Sequence, residues 1–226
     1  VRMPNSSELP QGSARFGLSL RAVGEGHLSS IVFRSGVIGP DNSIKLDEPT
    51  ERYRALNPVP NAEFDTHELQ EILEQLGRCG PLECEILRRV EDTFSVAELA
   101  TVLESIKADS VSQAELARAK ETLLSLVGSN YRIEIPEGVS ISEVALLPSS
   151  ANESSGIEDL RLVAFEEDNG ARCMYGTYTA YNGHAAFPTL FEMHNSTVIE
   201  SHSLVGRWAR NKGMALFPRR INGKYV

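Results

Sequence analysis

Cysteine is scarce. The three thiols, Cys79, Cys84 and Cys173, are odd in number and form no CxxC pair. That argues against a disulfide framework and against a structural zinc site, and makes a reducing cytoplasm the expected compartment. No apolar run approaches 18 residues and no leader-like segment opens the chain, so neither a membrane span nor a signal peptide is expected. Positive charge is in deficit: 22 Lys and Arg face 31 Asp and Glu, a formal net charge of −9. A nucleic-acid partner, which needs a basic face, is not expected. Also missing are GxGxxG, the P-loop, GxSxG and HExxH, and with them any motif for nucleotide binding, serine hydrolysis or zinc proteolysis.

What is present is an ordinary globular composition, 41% hydrophobic and 23% charged over 226 residues. The acidity is local. From Glu63 to Glu121 there are fourteen acids against six bases, a net of −8, whereas residues 201–226 hold no acid and six bases: Arg207, Arg210, Lys212, Arg219, Arg220 and Lys224. A neutral or anionic ligand is therefore tolerable near the C-terminal part. The chain opens at Val1, without Met, in a loop-like stretch and stops in the hairpin signal "INGKYV". Both ends read as cuts in a longer protein.

Three regions differ in periodicity. Phe16, Leu18, Leu20 and Ala22 alternate along one strand, "GEG" breaks it, and Ile31, Phe33 and Val37 mark a second before the turn "GPDNS". Between 63 and 130 the spacing becomes helical, as in Leu69, Ile72, Leu73, Leu76 and in Leu99, Val102, Leu103, Ile106. Ser95 with Glu98 and Ser112 with Glu115 predict capping boxes, and Gly128 predicts a C-terminal cap. Three or four short helices, inserted beside the main domain, are expected. From Tyr131 strands return as "YRIEI", "LRLVAFE", "ARCMYGTYTAY", "AAFPTLFEM", "TVIESHSLV" and "GMALFPRR", with turn signals between them. Consecutive antiparallel strands with tight hairpins suit a propeller blade, and a sandwich fits nearly as well.

The stretch "GIEDLR" carries the strongest chemical signal. Cleaving a glycosidic bond needs a carboxyl that gives a proton to the leaving oxygen. Strand alternation puts Glu158 and Asp159 on opposite faces and Arg161 on the face of Asp159, where a guanidinium would pair with it or bind an anionic substrate group. In "LRAVGEGHLSS", Arg21 ends a strand and Ser30 returns on its neighbour; guanidinium and hydroxyl groups at strand ends suit sugar hydroxyls. Tyr175, Tyr178 and Tyr181 in "GTYTAYNGH" place aromatics that could stack on sugar faces, Tyr178 foremost, although tyrosine is also a common strand residue. Lys212 in "RNKGMALFPRR" could meet a hydroxyl or a phosphate. His27 has no second histidine at ligand spacing, so no metal is expected.

Taken in order, "LSLRAVGEGHLSSIVFRSGVI", "GIEDLRLV", "YGTYTAYNG" and "NKGMALFPRRINGKY" resemble glycoside hydrolase family 130, the β-mannoside phosphorylases and related mannosidases. The resemblance spans nearly the whole chain and is looser in the helical part. It implies a mainly β fold: a partial five-bladed β-propeller, with first strands over 1–62, a helical insertion over 63–130 and further blades over 131–226. It implies Asp159 as the catalytic acid, Arg21 and Ser30 on sugar hydroxyls and Lys212 near the sugar or the attacking group. The expected reaction is inverting phosphorolysis to mannose 1-phosphate, or hydrolysis, with inorganic phosphate as co-substrate and no other cofactor. The expected ligand is an oligosaccharide or β-mannoside, and a homo-oligomer is an open expectation. Two departures stand out: Leu160 follows Asp159 where the family has Pro or Ala, and "PTLFEMHN" differs from the family's segment. With blades missing, this length of chain alone is expected to be inactive. The alternative expectation is a non-catalytic carbohydrate-binding propeller whose helical insert binds a protein.

Overall fold

The structure, a computed structural model, describes residues 9–61, 63–106, 112–195, 197–204, 208–209 and 211–226. Val205, Arg207 and Arg210, noted above, lie outside these residues, as does Val1. The alternating segment forms a hairpin, β1 (Ala14–Val23) with β2 (Ser29–Ile38), closed by a turn in which the Gly24 amide donates to the Leu28 carbonyl. Short pieces follow: β3 (Ile44–Leu46), β4 (Arg54–Ala55), β5 (Val59–Pro60) and β6 (Phe64–Asp65).

The helical periodicity yields α1 (Thr66–Gln75) and α2 (Pro81–Leu87), then β7 (Thr93–Phe94), α3 (Val96–Ser105) and α4 (Gln113–Gly128). Both expected capping boxes are present, Ser95 with Glu98 and Ser112 with Glu115, each hydroxyl accepting from the N3 amide. Gly128 does not end its helix from outside; α4 runs through it and Ser129 is the cap. Leu69, Leu73, Ile86, Phe94, Leu99, Leu103 and Leu123 bury one face of each helix in a common apolar core.

The remaining strands are β8 (Tyr131–Glu134), β9 (Val144–Leu146), β10 (Ile157–Glu166), β11 (Arg172–Tyr181), β12 (Ala186–His194) and β13 (Val198–Ser203). They complete three sheets. One has five strands in the order β1-β2-β9-β4, with β3 also on β2 and the β4–β9 pair parallel. A second has six strands, all antiparallel, in the order β10-β11-β12-β13-β8-β5, and β6 with β7 form the third. Ile31, Phe33, Val144 and Leu146 of the first sheet share a core with Tyr131, Ile133, Leu160, Phe191 and Ile199 of the second.

The expected partial five-bladed β-propeller is therefore not the fold. None of the three sheets closes or follows another around an axis. The meander β10–β13 does form, but it does not stop at four strands. The outer edge of β13 is taken by β8, so the sheet grows backward along the chain instead of ending as a blade. The stretch "GMALFPRR" starts no new blade either. It crosses the second sheet as irregular chain: the Met214 carbonyl accepts from Thr177 Oγ1, and the Pro218 carbonyl from the Glu166 amide. Pro218 has no N–H to give to a strand ladder, which disfavours a regular strand there. The "NG" turn holds, with Asn222 and Gly223 at φ 53° and 73° and Ile221 bridged to Lys224.

Candidate functional site

The two large sheets meet where the start of β10 runs against the β1–β2 hairpin. Gly156 makes this approach possible. Its φ is 121°, and a Cβ there would lie 2.5 Å from Ser29 Oγ and 2.9 Å from the Ser29 amide, so a side chain has no room. Four residues on, Ser19 Oγ donates to the Leu160 carbonyl at 2.7 Å. The seam is thus tied on both sides of Glu158 and Asp159.

At the seam β10 carries a bulge. Glu158 pairs with Thr179 and Arg161 with Thr177, so three steps on β10 oppose two on β11. Asp159 takes the strain, with φ 60°, a left-handed conformation that Asp tolerates better than most residues. Regular alternation fails here. Glu158 and Arg161, not Asp159 and Arg161, share the face set by Thr179 and Thr177, while Leu160 turns into the core and Asp159 is exposed.

Glu158 is the hub of the charges. Its side chain is 12% exposed; Oε2 lies 2.8 Å from Arg21 Nη1 of β1, and Oε1 lies 2.8 Å from Lys212 Nζ. The carboxylate of Glu158 holds the Lys212 ammonium above the usual lysine range by hydrogen bond and charge, and Asp159 adds to it. Neither Asp159 nor Arg161 has a hydrogen bond or ion pair among the described residues. Arg161 lies beside the chain that brings in Lys212, its guanidinium 3.5 Å from where a Cβ on Gly213 would stand. Three cations and two anions, from segments far apart in sequence, therefore converge with a formal charge of +1. An exposed carboxyl stands beside groups able to hold hydroxyls or an anion.

Two expected site residues are not brought here. Ser30 pairs with Ala22, and Arg21 with Ile31, so Ser30 faces away from Arg21 across the hairpin ribbon. Tyr178 is 4% exposed, and its hydroxyl sits inside the core among Glu153, Ser201 and Tyr131. It belongs to the core that the two large sheets share, so it offers no rim for stacking. Tyr175 is likewise buried, edge-on to Phe165.

Two arrangements escaped the sequence reading. Glu158, set aside there in favour of its neighbour, anchors both Arg21 and Lys212; a bulge is not visible in a residue pattern. On β12 and β13, Glu192, His194 and Glu200 bring ligand atoms within 4.8 Å of one another, a group able to hold a metal ion. The signal for it was the repeated tripeptide E-x-H, at 192–194 and 200–202, on two strands joined by a short turn. No protein-family model, no curated protein and no solved structure matches the chain.

Proposed function

We propose that the protein cleaves β-mannosidic bonds, with Asp159 giving its proton to the leaving oxygen. The reading is supported by the ordered motifs similar to glycoside hydrolase family 130 and carried by one observation. Of two adjacent carboxylates, Glu158 is neutralised by Arg21 and Lys212, while Asp159 stands exposed on a strained bulge beside them, without an ion pair among the described residues. Strain of this kind costs about 1–3 kcal/mol and gathers at functional positions. Protonation by Asp159 and attack at the anomeric carbon from the other side, by phosphate or water, would invert the configuration. Arg161, without an ion pair among the described residues, is the group suited to an incoming phosphate, and Arg21 and Lys212 to sugar hydroxyls. The three free thiols fit a reducing cytoplasm.

The test is product analysis on the longest natural form of the protein that contains this sequence, given β-mannosides with and without inorganic phosphate. Mannose 1-phosphate formed only with phosphate identifies a phosphorylase; free mannose in both conditions identifies a hydrolase. Saturable glycan binding with no product in either condition overturns the enzymatic reading. That result would favour a non-catalytic carbohydrate-binding protein, a reading supported by the open setting of the cluster, with Arg21, Asp159 and Lys212 all exposed.

A further inference from the structure

We propose that the outer face of the β12–β13 hairpin binds one divalent transition-metal ion, of the Zn²⁺ type, through Glu192, His194 and Glu200, with His202 beside the group. The site shares no residue with the Asp159 cluster and does not depend on its function.

The register builds it. Glu192 lies directly opposite Glu200, with His194 two residues along β12 and His202 two residues along β13. Alternation puts all four on the face away from the core, since Phe191, Met193, Ile199 and Ser201 fill the other. The two E-x-H tripeptides are thus related by an approximate dyad between the antiparallel strands.

The spacing fits an ion better than it fits direct bonds. His194 Nε2 is 3.5 Å from Glu192 Oε2 and 3.4 Å from Glu200 Oε2. His202 Nε2 approaches the same Glu200 oxygen at 3.8 Å. In a tetrahedral site with bonds of about 2.0–2.1 Å, neighbouring ligand atoms stand about 3.3–3.4 Å apart. His194 already holds that separation from each carboxylate, and the three ligand atoms all lie within 4.8 Å of one another.

Charge gives an independent reason. Like charges directly opposite across an antiparallel pair destabilise it. The cation on the neighbouring strand at this level, Arg132 opposite Glu200, is drawn to Glu134 at 3.2 Å. A dication bound between the two carboxylates and the His194 imidazole removes the repulsion. Tyr175, opposite Glu192 on β11, is committed to Glu167 through its hydroxyl. Mixed nitrogen and oxygen donors favour Zn²⁺, Co²⁺ or Ni²⁺ over Mg²⁺ and Ca²⁺, which take oxygen sets.

The test is calorimetric titration of the purified, chelator-treated protein with ZnCl₂, repeated in excess MgCl₂. One Zn²⁺ per chain, not displaced by Mg²⁺, is expected, with affinity reduced at least tenfold in His194→Ala and in Glu200→Gln and unchanged in His184→Ala, a loop control. The side chains are half-exposed, so these variants should keep the circular dichroism of the parent. If one fails to fold, the visible absorption of Co²⁺ added to the unsubstituted protein reports tetrahedral coordination without a variant. No saturable Zn²⁺ binding at millimolar concentration, equal competition by Mg²⁺, undiminished binding in both variants, or an octahedral Co²⁺ spectrum would each overturn the proposal.

Discussion

Asp159 and its neighbours show how one inserted residue decides a site. On a regular strand Asp159 and Arg161 would share a face. The bulge gives that place to Glu158, which then collects Arg21 and Lys212. An Asp at φ 60° is held against its own preference, so glycine there should relieve strain. Asp159→Gly is expected to leave stability unchanged or raise it by up to about 1 kcal/mol, since the relief is partly offset by the greater freedom of glycine in the unfolded chain. Urea unfolding measures this; a loss above about 1 kcal/mol would mean that the Asp159 side chain is structural. The acids, the guanidinium and the lysine were legible as residue types in "GIEDLR" and "RNKGMALFPRR". Which carboxylate is paired was not, because strand alternation predicts the wrong partner once a bulge intervenes.

At the scale of elements, local signals were read with most success. The hairpin of β1 and β2, the helices α1–α4 with the serine boxes of α3 and α4, the meander β10–β13 and the "NG" turn follow from periodicity and turn chemistry acting over a few residues. Two features depend on distant partners and were not readable. Tyr178 looked like a rim aromatic, but its hydroxyl and that of Tyr131 both donate to Glu153 Oε1, at 2.7 and 3.0 Å. Glu153 is 1% exposed, and its other oxygen accepts from the Ser149 and Ser150 amides. Burial, with the Glu153 carboxylate contributing, keeps both phenols above the ordinary tyrosine range, so they remain donors. Glu153→Gln would turn an amide N–H toward existing donors, at a cost of about 2–4 kcal/mol. A lower urea midpoint at constant slope is the expected reading; an unchanged midpoint would contradict it.

The helical part offers a pH-dependent counterpart. Cys79 and Cys84 bracket the start of α2, their sulfurs 2.8 Å apart in a hydrogen bond rather than the ~2.05 Å of a disulfide. That bond, with burial, pushes the Cys79 thiol up to about 11. The folded chain therefore keeps this proton while the unfolded chain has begun to lose it. Stability should fall as pH rises from the ordinary thiol range toward 11, and this contribution should be flat below it. Thiolate is the reactive form, so Cys79 should also alkylate more slowly than a free model thiol at pH 8. Peptide mapping after timed iodoacetamide treatment checks this, and labelling of Cys79 at the model rate would contradict it.

For the molecule as a whole, the described residues form two apolar cores, one between the large sheets and one among the helices. A small polar joint links them: Asn152 accepts from Ser125 Oγ of α4 and donates to Ser129 Oγ, and Asn130 Oδ1 accepts from the Ser203 amide. The division between β and helical parts was visible in the change of period near 63 and 130. The arrangement of the sheets was not, because a four-strand meander looks the same in sequence whether its edge is left free, as in a blade, or is taken by β8. What survives the loss of the propeller is the convergence of β1, β10 and the C-terminal segment on Glu158, with the exposed carboxyl of Asp159 beside it. The most direct test of the role of that carboxyl is turnover of a β-mannoside, with phosphate present, by Asp159→Asn in the longest natural form of the protein. Asn tolerates the left-handed backbone and keeps the shape, so the fold and glycan binding should be retained. The account predicts a fall in kcat of at least about 10²–10⁴-fold, the scale of a lost general acid. Turnover within a few-fold of that of the unsubstituted protein would contradict it.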